Sequence, residues 1–471
     1  MSRRTNRRQF VKTTAALGAG FWAAGGISPK RSLAANEEIR FACIGVGGKG
    51  VEDSDNVGRL GKVVAICDID GEFLDKAKGR FPDAKTFSDY RKLLDEMHDS
   101  IDAVTVTTPD HTHAVISLSA MALGKHVYCQ KPMTHSIEEA RLMAQRATER
   151  NIVTQMGNQG TALESLRRSA ALIKAGVIGK PTEVHIWTNR PVWPQGFGTK
   201  PKTEATPANI HWDLWLGPAP SHEFSREIHP FKWRGYWAFG TGALGDMACH
   251  TLNMSYMALD LNNATSVLAD AAEHDKYVYP GASSIEYQFA ANNLRPAVKM
   301  FWYDGGRRPL ALLKDCPKQP NLDAGPGDPG KHFTSGALII GDKGKFYSPG
   351  DYGEFEKQSG IIVDGKFTML GDIVTPVETI KSPGHYEEFA NAIRGEGKTV
   401  SNFPGYASGL TETVLLGNLA VWARGHRIDW DGKTMGTKLT KVNEKSPDCD
   451  ASEIARMVRH EYLNGYNIAS L

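Results

Sequence analysis

The sequence predicts an α/β protein in two unequal parts: a helix-covered parallel sheet, then an α+β portion built on an open, mainly antiparallel sheet. Two observations carry that expectation. Up to about residue 155, short, mostly apolar runs alternate with helical patterns, as strands buried on both faces do. Beyond Thr154 most of the strand candidates show more alternation of apolar with polar residues than the earlier ones, as strands with one wet face do. The 471 residues suffice for two or three domains with substantial cores, and 41% hydrophobic content is ordinary for a soluble chain.

In chain order, 39–46 reads as a buried first strand, 51–60 as a helix and 63–68 as a second strand ending in Asp68. Runs 103–107 and 126–129 continue the set. In the second part a helix is expected over 166–175, with strands near 182–188, 284–289, 297–301 and 360–363. Two stretches dense in Pro and Gly, 191–209 and 305–332, read as long loops of the kind usually kept for function.

The first 35 residues read as a removable leader. Arg7-Arg8-Gln9-Phe10-Val11-Lys12, ahead of a mildly apolar stretch over 13–27, has the form of a twin-arginine export signal, and Ser32-Leu33-Ala34 offers small residues to a signal peptidase. The apolar stretch is too short to span a bilayer well, so no stable membrane anchor is expected. The mature protein is expected to pass through the twin-arginine export machinery to a periplasmic or otherwise exported location. The leader holds seven Lys or Arg and no acid, so 55 basic against 53 acidic residues becomes 48 against 53, a net charge of −5. No nucleic-acid signature remains. The six cysteines show no paired spacing; Cys43, Cys67 and Cys129 lie in or beside apolar runs as small hydrophobes, and an oxidising compartment leaves a Cys316–Cys449 disulfide open.

Gly45-Val46-Gly47-Gly48-Lys49-Gly50 falls between the first strand and the first helix. Gly45 lets the chain turn tightly, Gly47 and Gly48 let backbone approach a pyrophosphate, and Gly50 allows close helix packing, while the helix N-terminus favours the phosphate charge. Asp68, at the end of the next strand, is placed to accept the adenosine ribose hydroxyls and to repel a 2'-phosphate, which predicts NAD rather than NADP. Capping of the following helix is the competing reading of Asp68, and Asp70 is a competing ribose ligand. The domains expected are a leader over 1–35, an N-terminal Rossmann dinucleotide-binding domain over 36–155, and a substrate-binding and catalytic domain over 156–471.

Three stretches, Thr108-Pro109-Asp110-His111-Thr112-His113, Gly124-Lys125-His126-Val127-Tyr128-Cys129-Gln130-Lys131-Pro132 and Gly245-Asp246-Met247-Ala248-Cys249-His250, resemble the Gfo/Idh/MocA oxidoreductases, the family of glucose-fructose oxidoreductase and inositol dehydrogenase. His385-Tyr386-Glu387-Glu388-Phe389 and Leu415-Leu416-Gly417-Asn418 extend the likeness to the family's last helices. The resemblance implies a catalytic-site Lys131, an Asp246/His250 pair, and cofactor contacts from Thr108, Pro109, His113, Gln130 and Lys131. Four-residue spacing puts Asp246 and His250 on one helix face, free to point into an interdomain cleft; Asp246 is placed either to orient His250 or to meet a sugar hydroxyl, and His250 or Lys131 to take the hydroxyl proton. Gln130 departs from the family, where Glu precedes Lys-Pro, and loss of that charge is expected to ease deprotonation of Lys131. Cys249, His250 and His229 lack the spacing of a metal site, and none is expected.

Trp187, Trp193, Trp212, Trp215, Trp233, Tyr236 and Trp237 crowd the approach to Asp246, and two or three are expected to line the cleft against apolar sugar faces. Asn189, Arg190, Trp193, His229 and Tyr236 are the substrate-binding candidates; Tyr236, Tyr256 or His229 could supply an extra acid or base. The expected activity is an exported NAD-dependent oxidoreductase of a sugar or glycoside secondary hydroxyl, with tightly held NAD and a homo-oligomeric assembly. Its alternatives are a redox-neutral NAD-dependent glycoside hydrolase and, from another class, a non-catalytic sugar-binding protein.

Overall fold

The computed structural model describes residues 38–196, 200–262, 264–319, 333–459, 461–468 and 471; the twin-arginine motif and the rest of the leader lie outside these residues. The first domain runs β1 (Ile39–Ile44), α1 (Lys49–Leu60), β2 (Gly61–Cys67), α2 (Gly71–Arg80), β3 (Lys85–Phe87), α3 (Tyr90–Met97), β4 (Ala103–Val106), α4 (Asp110–Ala122), β5 (His126–Cys129), α5 (Ile137–Glu149) and β6 (Thr154–Met156). The strands pair in parallel in the order β3-β2-β1-β4-β5-β6. This is the doubly wound Rossmann order, whose direction reverses between β1 and β4 and opens a crevice at the strands' carboxyl ends. The apolar runs become central strands because helices bury them on both sides: all of β4 is buried. Asp70, Asp89 and Ser136 accept hydrogen bonds from the first-turn amides of α2, α3 and α5, which fixes where those helices begin.

The second domain contains α6 (Glu164–Lys174), β7 (Pro181–Trp187), α7 (Trp212–Leu216), α8 (Gly242–Thr251), α9 (Asn253–Leu259), β8 (Ala264–Ala271), β9 (Ser283–Phe289), β10 (Val298–Tyr303), β11 (Gly336–Gly341), β12 (Lys345–Pro349), β13 (Gly360–Val363), β14 (Lys366–Met369), α10 (His385–Arg394), α11 (Ser408–Trp422), β15 (His426–Asp431), β16 (Gly436–Lys441) and α12 (Ala451–Arg459). Its ten strands form one mixed sheet, β14-β13-β12-β11-β7-β10-β9-β8-β15-β16, in which β7 and β10 run parallel and the other described pairs antiparallel. Along β9, buried residues alternate with half-buried ones, as a one-sided sheet requires. Around β7, β11 and β12 the expectation of an exposed face fails, because Leu313, Cys316 and Phe333 pack there against Trp187 and Tyr347. Cys316 belongs to that cluster while Cys449 packs against the main core; both are free thiols, so the Cys316–Cys449 disulfide is not formed. Cys43, Cys67 and Cys129 are buried as expected.

The chain returns to the first domain late. Tyr386, Phe389, Ala390 and Ile393 of α10 pack on Ile39, Phe41 and Val57, and Arg394 donates from Nη2 to the Leu60 carbonyl at 2.6 Å. The same helix holds Glu388, buried and paired with the buried Arg167 of α6, whose Nε donates to the Thr161 carbonyl at 2.8 Å. Removing one partner of a buried pair strands the other charge, so Glu388→Ala is expected to cost about 3–5 kcal/mol, read as a lower urea midpoint. An unchanged midpoint would mean that Arg167 is solvated without its carboxylate. Among the described residues no helix is long and apolar enough to cross a membrane.

Candidate active site

A cavity of about 690 Å³ follows the carboxyl ends of the first sheet, from Ser88 and Tyr90 at one end to Arg190 and Tyr352 at the other. Its floor is the glycine loop. Gly45 has φ +81°, and a Cβ there would lie 2.4 Å from the Thr107 carbonyl oxygen; a Cβ on Gly50 would lie 2.0 Å from the Gly45 oxygen. Gly45, Gly47 and Gly48 line the cavity, while Gly50 stays beneath it as the helix-packing residue. No side chain caps α1; the Gly50 and Val51 amides close the turn on the Gly47 and Gly48 carbonyls at 2.8 and 3.2 Å, which leaves the helix N-terminus open to the groove without a capping side chain. This bare, close-packed cradle fits the pyrophosphate of a dinucleotide.

Asp68 lines the cavity at the end of β2. Its Oδ2 accepts from the amides of Val46 (2.9 Å) and Gly47 (3.3 Å), and Oδ1 accepts from the Asp70 amide at 3.0 Å. Burial pushes its pKa up to about 6 against the pull of those three amides, so it is a carboxylate at neutral pH. The capping role belongs to Asp70, whose Oδ1 accepts from the Glu72 amide and from Asn209 Nδ2, with His229 Nε2 3.4 Å from Oδ2. Asp70 is thereby committed to protein partners.

At the other end of the groove Lys131, before a cis Pro132, donates from Nζ to the Asp246 carboxylate (2.7 Å) and to the Asp246 carbonyl (2.8 Å). Arg234 Nε lies 3.2 Å from the same Asp246 oxygen, and its Nη1 donates to both oxygens of buried Asp110 at 3.0 and 3.1 Å. Thr241 Oγ1 also donates to Asp110, at 2.6 Å. The result is an alternating file of charges, Asp110, Arg234, Asp246 and Lys131. Burial alone would raise the Asp246 pKa, but Lys131 and Arg234 outweigh it and hold the carboxyl well below its usual range. Asp246 is therefore a fixed anion, occupied by two cations and not by His250.

His250, one turn along α8, is buried against the Tyr352 ring with centroids 4.6 Å apart. Burial and then the nearby Lys131 charge drive its pKa well below 6.5, so it is a neutral imidazole. Its Nδ1 is buried without a hydrogen-bond partner in a side chain that lines the cavity. A buried unpartnered nitrogen of this kind suits a ligand hydroxyl.

Gln130 turns away from Lys131's side chain. Its Nε2 donates to both Asp53 oxygens at 3.1 and 2.8 Å, and Asp53 also accepts from Tyr386 Oη (2.7 Å) and Thr107 Oγ1 (2.8 Å). Burial raises the pKa of the Asp53 carboxyl, and these donors offset only part of that rise. The expectation that Gln130 leaves Lys131 without a counter-charge is corrected here: Asp246 supplies it. Sequence reading missed Asp53, Tyr386, Arg234 and Tyr352. Arg234 sits among aromatic residues already singled out, and Asp110 stands inside a recognised motif, whereas Tyr352 carries no local signal.

Thr108, Pro109, His113, Arg190, Trp193, His229 and two further indoles, Trp215 and Trp233, line the cavity. His113 also braces it, with ring nitrogens 2.7 Å from the Thr108 carbonyl and 2.9 Å from that of Pro132. Three candidates fall elsewhere. Asn189 is exposed and bonds Arg190, Tyr236 is buried in the cluster of Trp212 and Phe224, and Tyr256 is buried with its hydroxyl on Asn262; none lines the cavity. Among the described residues no three His, Cys, Asp or Glu side chains converge as metal ligands.

Levoglucosan dehydrogenase of Pseudarthrobacter phenanthrenivorans is 26% identical over 206 residues, 43% of this chain and 44% of that one. The NADP-dependent D-xylose 1-dehydrogenase of Haloarcula marismortui is 29% identical over 193 residues, 39% and 50% of the two chains. This chain thus spans about half the length of the curated relatives it matches. The WlbA dehydrogenase of Bordetella pertussis, solved with NADH and UDP-GlcNAcA, superposes with a TM-score of 0.57 at 18% identity over 84% of this chain and 99% of its own, a likeness of fold. Residues 39–158 match the model of the oxidoreductase family's NAD-binding Rossmann fold and 160–293 that of its C-terminal alpha/beta domain. Together these matches cover more than half of the sequence, and the chain belongs to the Gfo/Idh/MocA oxidoreductase family.

Proposed function

We propose that this protein is an NAD-dependent oxidoreductase acting on a secondary hydroxyl of a sugar or glycoside. The observation that carries the reading is the convergence of Lys131, Asp246 and unpartnered His250 at the end of the dinucleotide groove opposite Asp68. NAD, when bound, supplies the hydride acceptor. Lys131, fixed by Asp246, presents its remaining ammonium hydrogen to the substrate oxygen and stabilises the charge that grows there. Neutral His250 accepts the hydroxyl proton. Trp193 and Trp233 offer apolar faces to the ring, and Arg190 offers a donor to its hydroxyls.

The Asp68 carboxylate supports NAD over NADP. Wild-type protein is expected to bind NAD more tightly, with the preference shrinking in Asp68→Ala and, in wild type, as pH falls through about 6 and Asp68 takes up a proton. Binding titrations with both cofactors measure this, and a wild-type preference for NADP would remove the reading.

The twin-arginine motif supports export of the folded holoenzyme, and a location without a nicotinamide pool favours a redox-neutral cycle. In that cycle the hydroxyl carbon is oxidised to a ketone, the acidified neighbouring C–H loses its proton, and the glycosidic oxygen leaves with a proton. Water then adds to the enone and the hydride returns, so the net change is hydrolysis. Glycosides incubated with purified enzyme and no added NAD are expected to turn over many times, with solvent deuterium entering beside the oxidised carbon. Stoichiometric keto-sugar alone would leave a simple dehydrogenase.

A further inference from the structure

Tyr466, close to the end of the chain, lines the same cavity as the glycine loop, at the end formed by Ser88, Asp89 and Tyr90. That end lies beyond Asp68, over β2 and β3, on the side of the reversal point away from Lys131. A dinucleotide with its pyrophosphate on the glycine loop and its nicotinamide toward Lys131 has only this end for its adenosine.

The tail that carries Tyr466 is tied to both domains. Asn464 Nδ2 donates to the carbonyls of Gly217 (2.8 Å) and Ala219 (2.9 Å), and the Leu463 amide donates to Pro218 at 3.2 Å. Two residues on, the Arg91 guanidinium lies 5.7 Å from the Tyr466 ring centroid, and Arg91 is paired with Asp89 at 2.7 Å. The tail thus crosses from the turn after α7 to the start of α3. A second crossing lies beside it: the Gly71 amide donates to Asn209 and the His211 amide to Ile69, both at 2.9 Å, which carries Leu214 and Trp215 onto the cavity wall.

We propose that the C-terminal tail is a clasp on the bound cofactor, in which Tyr466 gives its ring face to the adenine and Asn464 anchors the tail; this rests on reading the cavity as the NAD groove. Departure of the dinucleotide then requires the clasp to open first, so the tail acts mainly on the release rate.

The test uses full-length protein loaded with NADH and diluted into excess NAD, with loss of bound-cofactor fluorescence giving the release rate. Tyr466→Ala is expected to release NADH at least about tenfold faster, the scale of one lost base–aromatic stack. Tyr466→Phe keeps the ring and is expected to release as wild type does, and Asn464→Ala to release faster. Melting temperatures of the apo variants equal to wild type show that the half-buried Tyr466 is not needed for folding. Release from Tyr466→Ala at the wild-type rate, or equal acceleration by Phe and Ala, overturns the clasp. Rapid release from wild type would instead count against tight cofactor retention, while the ratio between variants still reads the clasp.

Discussion

Alanine in place of Lys131 or His250 is expected to lower turnover at least about a hundredfold, the usual scale for a positioned acid or base, with folding and NAD binding largely retained. The two variants fail for different reasons. Lys131→Ala removes the donor to the reacting oxygen and leaves Asp246 held by Arg234 alone, whereas His250→Ala removes the proton acceptor and leaves the Lys131–Asp246 pair in place. The imidazolium of His250 is disfavoured by burial and by Lys131, so the wild-type acid limb should lie below the ordinary imidazole value of 6.5. Protonation silences the base, and a depressed pKa postpones that loss to lower pH. Turnover within a few-fold of wild type in both variants, on a confirmed substrate, would dismiss the assignment.

The second large effect belongs to the glycine loop. Gly50→Ala puts a methyl 2.0 Å from the Gly45 carbonyl oxygen, and Gly45→Ala puts one 2.4 Å from that of Thr107 at a φ of +81°. Both obstacles are backbone, so relief requires α1 or β4 to move. Each variant is expected to weaken NAD binding at least about tenfold, since a Cβ that close to backbone forces the cradle itself to shift and about 1.4 kcal/mol of lost fit is already a factor of ten; at Gly45 left-handed strain adds to this. Gly48→Ala is the internal control: its Cβ meets nothing within 4 Å, and only the φ of +51° opposes it. Titration calorimetry on the three variants should rank Gly48→Ala the mildest, and equal losses would show that crowding is not the cause.

The parts of this molecule legible in the sequence are those whose chemistry is local. A strand buried on both faces is mostly apolar, which is why β1, β2, β4 and β5 stood out, and a turn of positive φ selects glycine, which marked Gly45. Asp246 and His250 were marked by the resemblance to the family's motif, and four-residue helix spacing agrees in putting them on one face. Contacts between distant segments left no such trace. Asn189 and Tyr236 have suitable chemistry beside the site, but one points to solvent and the other packs against Trp212. Conversely, Asp53 lies on the polar-looking helix α1, and its importance appears only once Gln130, Thr107 and Tyr386 close around it. The one departure from the family motif, Gln130, is intelligible in that setting: an amide can donate to Asp53 where a second carboxylate would repel it.

The return of α10 to the first domain orders events during synthesis. Ile39 and Phe41 are made near the start of the chain, yet residues that cover them, Phe389 and Ile393, emerge from the ribosome only after more than four-fifths of the 471 residues have been translated. Tyr386, which completes the shell around Asp53, arrives on the same helix. Nascent chains therefore carry an uncovered apolar sheet face through most of translation, and the nicotinamide end of the groove is finished only when the last third is in place. A truncated product lacks not a peripheral piece but the keystone of its oldest domain.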